Sequence, residues 1–124
     1  MRKLILPKTL KFASLVYRIK TRPQIAAGGN EYFGECDNGN QVIRIATSFP
    51  SDRQVQALVH ESLHAIENLY GLSFEEEEVE RLALGLTAFL LDNDLLKGIF
   101  EEEPASKRKA AKPGKIDLGE GEPA

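Results

Sequence analysis

The two histidines of the chain stand four residues apart, in His60-Glu61-Ser62-Leu63-His64. On a helix, side chains at i and i+4 share one face a turn apart, so two imidazoles at this spacing can reach a single metal ion. The glutamate beside the first histidine then points aside, toward the water that such an ion would activate. The ordinary reading is that both histidines are packed or solvated helix residues, and a helical wheel tests it. At about 100° per residue, Val55, Leu58, Val59, Ile66, Leu69 and Tyr70 gather on one side, while His60 and His64 fall roughly opposite, with Arg53, Ala57 and Asn68. A ligand face turned toward a cleft fits this placement better than core histidines do.

Zinc that keeps an open position for water takes three protein ligands, so a third donor is required downstream. With no third histidine, the candidates are the glutamates at 75–78 and Glu80. Glu78 falls on the polar side of the second helical segment with Arg81, Gly85 and Asp92, whereas Glu80 falls among Ala83, Leu84, Thr87 and Leu91. A carboxylate on an apolar side needs a partner, which favours Glu80 and keeps Glu76 and Glu77 as runners-up. The competing reading of the whole acidic run is a solvated helix start favoured by the helix dipole.

The elements that must carry these residues are legible in outline. Arg53 to Tyr70 has a helical pattern, with Ser51 or Asp52 as cap and Gly71 as a left-handed stop. Ser73 with Glu76 fits a capping box, and Phe74 to Leu91, rich in Leu and Ala, predicts a second helix of similar length. Asp92-Asn93-Asp94 interrupts it, and Leu95 to Phe100 adds a short turn. Upstream, Thr9 to Lys20 alternates with the period of a half-buried sheet and reads as one or two strands, with Ala13-Ser14 as a turn. Pro23 to Asn30 reads as a loop. Asp37-Asn38-Gly39-Asn40 signals a hairpin whose second strand, Val42 to Ala46, is expected near a sheet edge. The expectation is an α+β fold: a small N-terminal antiparallel or mixed β-sheet followed by two long helices, forming one domain over residues 1–100. Residues 101–124, with Glu-Glu-Glu-Pro, Lys-Arg-Lys and Gly-Glu-Gly-Glu runs, have too few apolar side chains to offset ordering entropy and read as a disordered tail.

This arrangement resembles a family. Gln56-Ala57-Leu58-Val59-His60-Glu61-Ser62-Leu63-His64-Ala65-Ile66, followed by Val79-Glu80-Arg81-Leu82-Ala83 and Leu86-Thr87-Ala88-Phe89-Leu90-Leu91, is similar to the small phage- and bacterium-borne zinc metallopeptidases related to the ImmA/IrrE group, over roughly residues 4 to 98. The resemblance implies a minimal zincin with Zn2+ held by His60, His64 and Glu80, and with Glu61 as the catalytic carboxylate. It also implies that the Val42 to Ala46 strand pairs with extended substrate. Larger members of the group carry an extra N-terminal helix and at times a DNA-binding or sensor domain, which this sequence lacks.

The chemistry expected is hydrolysis of a peptide bond in a protein or peptide substrate, with Glu61 as general base. Tyr70, Tyr32 and Arg81 are candidates for stabilising the oxyanion, none placed by sequence. The alternative from another class is a metal-binding module without turnover that docks on a regulator or a nucleic-acid-associated partner. The chain has 124 residues, 28% of them charged, and a net charge of −3. Its first 30 residues carry seven Lys or Arg and no acid, which the wet face of strands explains as readily as a nucleic-acid partner does; no zinc finger, recognition helix or aromatic-rich motif accompanies them. No apolar stretch approaches the length of a membrane span and no secretory signal is recognisable. The lone Cys36 implies no oxidising compartment and reads as a structural thiol rather than a fourth ligand or redox switch. These features lead to a cytoplasmic expectation, in a bacterium or a phage-infected host.

Overall fold

The computed structural model describes residues 3–101. The expected tail, apart from Glu101, lies outside the described residues. The order of elements is β1 (Lys3–Leu4), β2 (Thr9–Phe12), β3 (Leu15–Arg22), β4 (Ile25–Ala27), β5 (Asn30–Tyr32), β6 (Gly34–Asp37), β7 (Val42–Ala46), α1 (Ser51–Tyr70), α2 (Glu76–Asp92), a 3-10 turn (Lys97–Ile99) and β8 (Phe100–Glu101). The architecture is α+β, with an N-terminal mixed sheet followed by two helices.

The main sheet has the order β2-β3-β7-β6. β2 and β3 form an antiparallel hairpin that turns at Ala13-Ser14, where Ala13 takes a left-handed φ of 57°. β6 and β7 form a second hairpin across the Asn-Gly turn, and β7 runs parallel to β3, with Ile19 opposite Ile43 and Thr21 opposite Ile45. Side chains alternate across a strand, so Tyr17, Ile19, Ile43 and Ile45 all face one way. They are buried there against Ala57, Leu58 and Ala65 of α1. Lys11, Arg18, Lys20 and Arg22 are exposed, and half-buried Arg44 pairs with exposed Glu35 at 2.7 Å. The basic residues of the N-terminal half therefore include a solvent-facing row on the sheet.

Several local expectations are corrected. β7 does lie near a sheet edge, with only β6 outside it, but β3 covers its other side and four of its five residues are buried, so it has no open side for a substrate strand. Its nearly continuous apolar run, Val42-Ile43, then Ile45-Ala46, is the composition of a strand flanked on both sides. The edge strands are β2 and β6, and β6 is the one beside β7. Residues 23–30 are not merely a loop: β4 and β5 form a small hairpin through Gly28 and Gly29, both with positive φ. α1 starts with Pro50 as its N-cap and no side-chain capping bond, although Gly71 does stop it, at φ 69°. The capping box of α2 is Glu75 with Glu78 rather than Ser73 with Glu76. Ser73 and Phe74 lie outside the helix and Glu75 is its extended N-cap, so the helix starts two residues later than expected. No helix among the described residues is long and apolar enough to cross a membrane.

Candidate metal centre

α1 lies against the inner face of the sheet and α2 packs back along α1. The side of α1 next to its core stripe opens into a cleft of about 700 Å³, lined by β6, the β5–β6 link, α1 and the start of α2. His60, Glu61 and His64 all line it, as do Glu67, Glu76 and Glu80. The imidazole rings are 5.0 Å apart between centroids. Nε2 of His60 lies 2.9 Å from one carboxylate oxygen of Glu76, and Nε2 of His64 lies 3.3 Å from the other.

One ligand atom from each of His60, His64 and Glu76 falls within 4.8 Å of the others, and this is the group of metal-ligating side chains that the described residues bring together. Two imidazoles and one carboxylate make a donor set that zinc uses at sites retaining an open position. The residues present thus fit a divalent ion of that kind. Both histidines turn Nε2 toward Glu76, leaving the Nδ1 atoms facing outward from the cluster.

Glu80, favoured by the wheel, lies beside the cluster rather than in it: one of its oxygens is 3.6 Å from Nδ1 of His60, and half of its side chain is exposed. Glu76 precedes it by four residues on the same stripe of α2, which also carries buried Val79, Ala83 and Thr87. The wheel identified the face; the turn between the helices set which glutamate on that face meets the histidines. Glu78 faces away and bonds the backbone N–H of Glu75.

Glu61 is 8% exposed. Burial pushes its carboxyl above the ordinary range, and the adjacent His60 and His64 pull it back down. Gly34 of β6 presses against it. A Cβ on Gly34 would stand 3.2 Å from Cγ of Glu61 and 2.9 Å from the carbonyl oxygen of Arg44. The strand can pass this close to the carboxylate because residue 34 lacks a side chain.

Glu67 was missed by reasoning from sequence. Its Oε1 lies 2.7 Å from Nδ1 of His64, and its Oε2 accepts the backbone N–H of Phe74 at 2.7 Å. The Phe74 amide foremost, and the His64 ring after it, hold its carboxyl below the usual range. The available signal was its position three residues after His64, which places a side chain on the same helix face. Cys36 is half-buried and lines the cleft; burial, with the negative charge of Glu61 and Asp37 adding, pushes its thiol up to about 12. A thiol held protonated is a poor metal ligand and a poor nucleophile. Of the three oxyanion candidates, Tyr32 is the one that lines the cleft. Tyr70 is 64% exposed at the end of α1.

Comparison with family models, curated proteins and solved structures finds no match to this chain.

Proposed function

We propose that the protein is a zinc-dependent peptidase acting on an extended segment of a protein substrate, with Glu61 as the general base. The observation that carries this reading is the convergence of His60, His64 and Glu76 in a cleft that also holds the buried carboxylate of Glu61. Bound zinc would supply a lowered pKa for a coordinated water and polarisation of the scissile carbonyl. His60, His64 and Glu76 would hold the ion. Glu61 takes the proton of the attacking water and delivers it to the leaving amine, a role suited to a buried carboxylate with a raised pKa.

β6 is the element suited to hold substrate, in place of β7. The backbone N–H of Ala46 donates to the carbonyl of Phe33, and Gly34 is opposite Ile45 in an antiparallel register. Hydrogen-bonding groups alternate sides along such a strand, so Gly34 and Cys36 direct their N–H and C=O away from β7. An extended peptide can add there as one more strand, which would align its backbone along the cleft.

The competing reading keeps the metal and omits the turnover, and Glu61→Gln separates the two. The amide preserves size but loses the basic oxygen. Zinc content should stay at about one ion per chain, while hydrolysis falls by the ~10²- to 10⁴-fold typical of losing a positioned base. The practical assay compares new protein N-termini in cells expressing wild type and Glu61→Gln. A loaded wild type that yields the same N-termini as the variant, in a host containing the target, supports the binding module instead.

A further inference from the structure

The Glu67 carboxylate touches two things at once: one oxygen meets the ring of His64, and the other meets the backbone that leads into α2. Its side chain is only 12% exposed. Its own carbonyl accepts the N–H groups of Gly71 and Leu72, so the same residue also closes the end of α1. A carboxylate at hydrogen-bond distance from Nδ1 favours a proton on that nitrogen. The lone pair then lies on Nε2, which faces Glu76. Phe74, the second contact, stands two residues before Glu76.

We propose that Glu67 is a positioning residue that sets two of the three metal ligands together, fixing His64 with its Nδ1 protonated and fixing the start of α2 that delivers Glu76. The proposal rests on the reading of His60, His64 and Glu76 as a metal site. Glu80 does not serve His60 equivalently, since its 3.6 Å separation exceeds hydrogen-bond reach. The distinctive requirement is for two acceptor oxygens. Glutamine at position 67 has one, so it can accept from the Phe74 amide or from Nδ1–H of His64, but not from both.

The test uses the full chain, zinc alone as probe, and 15N-labelled protein. Zinc affinity is measured by chelator competition for wild type, Glu67→Gln and Glu67→Ala. The zinc-loaded wild type should show a downfield, exchange-protected Nδ1 proton on His64. In Glu67→Gln that resonance should move or vanish, and affinity should fall about 10- to 100-fold, as for other carboxylates that orient a ligand histidine. Affinity within twofold of wild type, or an unchanged His64 proton in the variant, overturns the proposal and leaves the metal site standing. If wild type takes up no zinc, the metal site falls and the proposal with it. If the variants fail to fold, the wild-type resonance decides: a loaded protein lacking the protected Nδ1 proton on His64 overturns the proposal.

Discussion

Glu76 and Glu80 differ by one helical turn, about 6 Å along α2, and that offset decides which of them meets the Nε2 atoms. Glu76→Ala should therefore abolish tight zinc binding, since two protein ligands replace three poorly. Glu80→Ala should weaken it tenfold at most. Chelator competition on both variants checks the order, and the reverse order would return the ligand role to Glu80. At this scale, the convergence of His60, Glu61 and His64 on one cleft was legible from sequence because their spacing acts within a single helix. Which glutamate joins the two histidines was not, because it depends on where α2 begins. That point is fixed by the bond from the Phe74 amide to Glu67, between residues seven apart with a chain reversal between them.

The approach of β6 to α1 gives the element scale its sharpest constraint. Adding one methyl at Gly34 brings it against the backbone oxygen of Arg44, which cannot swing aside as a side-chain tip can. Gly34→Ala should cost about 1–3 kcal/mol, the range for overpacking a filled site, while leaving zinc content intact. Thermal unfolding measures it, and an unchanged midpoint would contradict the packing described. The β2–β3 hairpin, the Asn-Gly hairpin and the Gly71 stop were legible because turns are local chemistry. The parallel pairing of β3 with β7 was not, since strands more than twenty residues apart leave no mark in local alternation. The buried-strand composition of Val42–Ala46 was the one available hint that β7 lies inside the sheet.

Across the whole molecule, the candidate site joins the two helices that complete the fold. An ion held by His60 and His64 on α1 and Glu76 on α2 binds the folded state and has no equivalent site in the unfolded one. Zinc at about 100 times its dissociation constant should therefore add roughly 2.7 kcal/mol, raising the melting midpoint of a domain this size on the order of 10 °C. Calorimetry with and without zinc checks the increment. Glu76→Ala should show no increment, and a full increment in that variant would place the ion elsewhere.

The pairing of β1 with β8 has a separate consequence, for the order in which the protein comes apart. Lys3 faces Glu101 and Leu4 faces Phe100, and the N–H of Ile5 donates to the carbonyl of Ile99 at 2.7 Å. Two short strands thus close a loop spanning almost the entire described chain. The chain entropy lost in closing so long a loop opposes this pairing. The clasp should therefore form late in folding and open before the main sheet does. Deuterium should enter at Ile5 through this partial opening, long before it reaches the amides of Ile43 and Ile45, whose exchange must wait for the sheet itself to unfold.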